Sequence, residues 1–91
     1  MSEVHHSEVH FHGHVQGVGF RYAAREVAKE FEVCGLVENL ADGRVHLELE
    51  GSKGEIDRFL EALAERMHGF IRKTERADGK RAPAFTGFIL R

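Results

Sequence analysis

Between Ser52 and Gly69 the chain carries a complete specification for one amphipathic helix, and such a helix needs a second layer to cover its apolar face. Ser52 with Glu55 three residues later is a capping box, in which the serine oxygen and the glutamate each take up an otherwise unpaired backbone N–H. Ile56, Phe59, Leu60, Leu63, Ala64 and Met67 then recur at three- and four-residue spacing, which lays them along one stripe. Gly69 is placed to cap the C-terminus. A stripe of that width packs on a sheet or on another helix, so the rest of the sequence must supply one.

It supplies mostly sheet. From Val9 to Val15 apolar residues and glycine alternate with His10, His12 and His14, the pattern of a strand with one buried face. A second helical stripe follows in Phe20, Ala24, Val27, Ala28 and Phe31, which sets the first helix at roughly 20–31. Residues 34–40 read as extended, Asp42-Gly43 as a tight hairpin turn, and Val45, Leu47 and Leu49 as the core face of the next strand. Phe70 to Arg76 is a strand suited to an edge, being largely charged, followed by a polar loop around Asp78-Gly79 and Pro83. Phe85 to Leu90 is a short apolar segment able to add a further strand. The order strand, helix, strand, strand, helix, strand, with room for a fifth strand, is the split βαβ, ferredoxin-like arrangement: an α+β, two-layer α/β sandwich.

Size and charge narrow the function. A chain of 91 residues holds one core, so residues 1–91 are expected to form a single domain with residues 1–7 as a flexible N-terminal tail. A formal charge of -2 provides no positive field for a nucleic-acid backbone. Cys34 is the sole cysteine, which rules out an internal disulfide and fits a reducing compartment. No apolar run approaches the ~20 residues of a membrane span. The expectation is a cytoplasmic monomer acting on a small molecule, with neither nucleic acid nor membrane as partner.

The segment 13–21, Gly-His-Val-Gln-Gly-Val-Gly-Phe-Arg, joins the first strand to the first helix. A helix N-terminus offers unpaired N–H groups and about half a positive charge, and glycines let backbone amides approach an anion. Arg21 adds a planar guanidinium that grips two phosphate oxygens at once, at a helix end where a cation without an anion is disfavoured. Elsewhere such an arginine would be an ordinary solvated helix residue; after this loop it reads as a phosphate ligand. The loop lacks the Lys-Ser/Thr ending of a P-loop, and Tyr22 stands where a dinucleotide fingerprint needs its third glycine. A single-stranded RNA module of similar architecture would carry stacking aromatics on its open sheet face, where this chain has histidines, Glu48 and Glu50.

Residues 13–21 resemble the acylphosphatase signature G-x-V-Q-G-V-G-F-R at every fixed position. A second signature, G-x-V-x-N-x-x-D-G-x-V, is carried here by Gly35, Val37, Asn39, Asp42, Gly43 and Val45, and the ending Phe88-Ile89-Leu90-Arg91 is similar to the closing strand of that family. The resemblance implies hydrolysis of acyl phosphates to a carboxylate and inorganic phosphate, which is product and inhibitor, without metal or cofactor. It implies catalytic roles for Arg21 and Asn39, with Val15, Gln16, Gly17, Val18, Gly19, Phe20 and Arg21 forming the phosphate loop. The other reading is a catalytically weak or inactive module of the same fold that binds an anion or a protein.

Residue patterns agree with these roles. Asn39 shares parity with Val37, which puts it on the helix-facing side, near the loop. Gln16 is expected to fix the loop by hydrogen bonds. Glu38, where the family often has a basic residue, is expected to oppose anion capture. His10, His12 and His14 share a sheet face at a spacing of about 7 Å, with His5 and His6 nearby. No carboxylate or thiolate of matching spacing accompanies them in the sequence, so no metal site is expected.

Overall fold

In a computed structural model describing residues 3–91, five strands and two helices follow one another as β1 (Val4–Gly13), α1 (Phe20–Ala28), β2 (Val33–Asn39), β3 (Val45–Gly51), α2 (Lys53–Arg66), β4 (Ile71–Arg81) and β5 (Phe88–Leu90). The sheet runs β4-β1-β3-β2-β5, antiparallel throughout except that β5 lies parallel to β2. Val9, Phe11, Val37, Val45, Leu47 and Leu49 are buried against Ala24, Val27, Ile56, Phe59 and Leu63 of the two helices, forming one core between two layers. This is the α+β sandwich expected from the sequence. Among the described residues no helix is long and apolar enough to cross a membrane.

The elements differ from their expected bounds for identifiable reasons. The α-helical part of α1 stops at Ala28, because Glu30 and Phe31 donate to the carbonyls of Val27 and Ala28 at three-residue spacing, tightening the last turn. Phe31 still reaches the core and meets Phe59 edge to face, so the apolar stripe continues past the α-helix. At α2 half of the capping box forms. Ser52 Oγ accepts from the Glu55 N–H at 3.2 Å, while the Glu55 carboxylate turns to the Glu32 N–H and to Arg58.

The expected tail is corrected by β1, which includes residues 4–7; residues 1 and 2 of that tail lie outside the described residues. Asp78-Gly79, expected in a loop, lies within β4, paired with Ser7 and His6. Here β1 and β4 are joined on the helix side by charge. The Arg76 guanidinium holds both Asp78 oxygens at 2.8 and 2.9 Å and Asp57 of α2 at 2.7 Å, and His5 contacts Asp78 at 2.7 Å. Burial alone would raise the Asp78 pKa, but Arg76 and His5 outweigh it and hold the carboxyl at about 2. A folded pKa below the unfolded one means that the stability it supplies is present above about pH 4 and is lost as pH falls toward 2. Asp78→Asn should therefore lower stability at neutral pH by roughly 1–2 kcal/mol and flatten the acid limb of the stability curve between about pH 4 and 2, as read by urea unfolding across that range.

The last strand is shorter than expected because Glu50 intercepts the chain before it. The carboxylate is 4% exposed and accepts the N–H groups of Ala84 and Phe85, with Arg81 at 3.2 Å. This clamp carries residues 82–87 across the open sheet face from β4 to the opposite edge. There β5 joins β2 and brings Leu90 and Arg91 beside α1.

Candidate active site

The loop between β1 and α1 is anchored at both ends and fastened in the middle. Val15 is fully buried and Phe20 nearly so, its ring 4.9 Å from that of Phe11. Gln16 donates from Nε2 to the carbonyls of Leu40 and Arg44, at 2.7 and 3.0 Å, tying the loop to the β2–β3 hairpin. Gly17 and Gly19 have φ of 76° and 79°, and Gly19 is the N-cap of α1. Among the described residues, none of the amides from Val15 to Arg21 donates to another backbone group. A row of free donors is thereby held in one shape at a helix N-terminus, the arrangement that attracts an anion.

A left-handed φ costs an L-residue roughly 1–2 kcal/mol, and a Cβ added at Gly19 would meet nothing within 4 Å. Gly19→Ala should therefore destabilise the fold by about 1 kcal/mol through backbone strain alone, seen as a lower urea midpoint with an unchanged slope.

Arg21 sits in the first turn of α1 and donates from its guanidinium to the Arg91 carbonyl at 2.5 Å, so the end of the chain past β5 helps to aim it. Asn39 ends β2 on the helix-facing parity, opposite the buried Val45. Both side chains line one cleft of about 230 Å³, together with Val15, Gly17, Gly19, Phe20, Tyr22 and Leu90. Gln16 and Val18 belong to the loop but not to this lining; Gln16 is engaged with the hairpin and Val18 packs against the core. Tyr22, Leu90 and the Arg91 carbonyl are contributions that the motif reading did not single out. Tyr22 follows Arg21 directly, but periodicity gave no sign that it faces the cleft, and Leu90 and Arg91 arrive only through the path of β5.

Glu38 faces away from the cleft. Its carboxylate lies on the open face of the sheet, 2.8 Å from His46 Nδ1, which removes it from direct contact with a bound anion. The histidines of β1 do not converge either. His5 turns to Asp78 on the helix side, while His6 and His12 meet Glu48 and Glu75 on the open face. The sequence reading found no carboxylate partner for them because the partners come from neighbouring strands.

The family model for acylphosphatase matches residues 7–90. The chain belongs to the acylphosphatase family. It is similar to an acylphosphatase of Archaeoglobus fulgidus, 48% identical over 56 residues that make up 62% of this chain and 63% of the relative. The matched segment thus spans less than two thirds of that relative's length. Solved acylphosphatases match more completely in shape. The enzyme from Bacillus subtilis superposes with a TM-score of 0.88 at 26% identity, covering 96% of this chain and 98% of its own. That from Coxiella burnetii gives 0.83 at 29%, covering 98% and 93%. In a member of this family, the cleft shared by the β1–α1 loop, Arg21 and Asn39 is the candidate active site.

Proposed function

We propose that this protein hydrolyses the carboxyl–phosphate bond of acyl phosphates, releasing a carboxylate and inorganic phosphate. One observation carries the reading: a single cleft is lined by an amide-rich loop, by the Arg21 guanidinium and by the Asn39 carboxamide. The loop amides and Arg21 hold the phosphoryl oxygens, and Asn39 holds the attacking water.

Few groups suffice for this chemistry. Phosphoryl transfer passes through a loose transition state, so positioning and charge stabilisation supply most of the acceleration. Water forms the new P–O bond as the bond to the acyl oxygen breaks, and the electron pair leaves with the carboxylate. That leaving group is a weak base and needs no general acid. The water proton passes to a phosphoryl oxygen, so no side-chain base is required beside Asn39. Neither metal nor cofactor has a step to perform in this scheme.

The same reading takes the protein as a cytoplasmic monomer acting on a small molecule, with neither nucleic acid nor a membrane as partner. Its net charge of -2 and single cysteine support that placement. The test is hydrolysis of benzoyl phosphate in the presence of a chelator, with inorganic phosphate as competitor. Turnover that persists and is inhibited competitively is expected; phosphate binding without turnover would make the chain an anion-binding module instead.

A further inference from the structure

On the sheet face opposite the helices, Glu8, His46 and Glu48 bring one donor atom each to within 4.8 Å of one another. Glu8 of β1 and Glu48 of β3 are directly opposed in the antiparallel register. Two carboxylates in that relation repel, which destabilises the pairing unless positive charge lies beside them. Charge is short in this patch. Glu8 and Glu38 contact His46 and Glu48 lies beside them, while among the described residues the one guanidinium paired with these carboxylates, Arg81, reaches Glu48 only at 3.5 Å and is shared with Glu50.

The orientation of His46 is informative. Its Nδ1 lies 2.8 Å from the Glu38 carboxylate, an acceptor, so in the tautomer that carries its proton on Nδ1 the variable position is Nε2. Nε2 faces a Glu8 oxygen at 3.1 Å. Two acceptors do not attract, so a cation must sit between Nε2 and the carboxylate, either a proton or a metal ion. The carboxylate–imidazole pair formed by Glu38 and His46 is the support commonly found behind a metal-bound histidine. Glu48 has its own support in His6, whose Nε2 lies 2.9 Å from Oε1. His10 stacks on the His46 ring at 4.8 Å and restrains its plane.

We propose that Glu8, His46 and Glu48 form a binding site for a divalent cation of the zinc class. One imidazole nitrogen and two carboxylate oxygens suit such an ion, with water completing the shell. Ligand atoms about 2.0–2.1 Å from zinc lie roughly 3.3 Å apart in a tetrahedron, close to the separation of His46 Nε2 and Glu8. The Glu8 side chain is 46% exposed and has room to adjust. The ion would tie β1 to β3 and, through Glu38, to β2. It lies across the sheet from the cleft and takes no part in hydrolysis.

The test is calorimetric titration of untagged, chelator-stripped protein with Zn²⁺ at neutral pH. One ion per chain is expected. Glu38→Gln should weaken binding about tenfold through the lost support of His46, and the Glu8→Gln/Glu48→Gln double variant by at least about a hundredfold. Both variants should retain benzoyl phosphate hydrolysis, which shows that they are folded. In the wild-type protein, zinc should shift the ring ¹⁵N resonances of His46 ahead of those of His12, His14 and His68, a readout that needs no variant. Absence of stoichiometric uptake, uptake unchanged in the double variant, or shifts led by another histidine would overturn the site, and none of these bears on the hydrolytic cleft.

Discussion

Replacing Asn39 by alanine is expected to lower the turnover of benzoyl phosphate by roughly 10²–10³, with little change in the inhibition constant for inorganic phosphate. Asn39 is exposed at the end of β2, so truncating it removes no core packing. What it removes is a carboxamide in the cleft that can both donate to and accept from a water molecule. A water held against the phosphoryl group is already part-way to the geometry of attack, and releasing it returns that entropy to the barrier. Because the amides and Arg21 remain, phosphate should still bind. A loss confined to turnover therefore separates a water-holding role from a general disturbance of the cleft.

Replacing Arg21 by alanine should have the complementary signature. The phosphate inhibition constant should rise roughly 10²-fold, because a paired, charge-assisted grip on two oxygens is lost where the helix end alone remains. Turnover should fall too, since negative charge on the phosphoryl oxygens is stabilised through the transition state. Arg21 also donates to the Arg91 carbonyl, so the variant loosens the end of the chain as well as the anion site. Arg21→Lys separates these effects. It keeps a positive charge but loses the planar fork, and is expected to recover only part of the phosphate affinity. If alanine and lysine variants bound phosphate as tightly as the parent, Arg21 would be a structural residue of the β5 junction.

The parts of the molecule that are specified locally were readable from the chain. The α2 stripe and the Val45–Leu49 alternation each carry their partner face in their own spacing, and the glycine-spaced run from Val15 to Arg21 announces a cradle by residue type. What escaped depends on pairs distant in sequence. Residues 4–7 extend β1 without an apolar signature because Ser7, fully buried, occupies a core-facing position and meets Arg76 and Asp78 instead of a hydrocarbon side chain. Asp78-Gly79 has turn chemistry in isolation, yet β1 offers it a paired strand and Arg76 and His5 neutralise its charge. Glu50 looked like one more wet-face glutamate until residues 82–87 crossed over it.

At the cleft the same division holds. Arg21 and Asn39 stand out by motif, and the parity of β2 puts Asn39 on the right face. Tyr22 and Leu90 enter the lining through tertiary placement alone. Glu38 adjoins Asn39 in sequence, yet adjacent residues of a strand point to opposite faces, and its carboxylate is committed to His46 instead of lining the cleft.

Titration of the ¹⁵N-labelled protein with inorganic phosphate, followed by amide resonances, tests the central claim most directly. Saturable shifts concentrated on the amides of residues 15–21, with the Arg21 Nε and the Asn39 carboxamide moving at the same phosphate concentration, are predicted. Saturation with the largest shifts elsewhere, or with the Arg21 and Asn39 side chains unmoved, would contradict it.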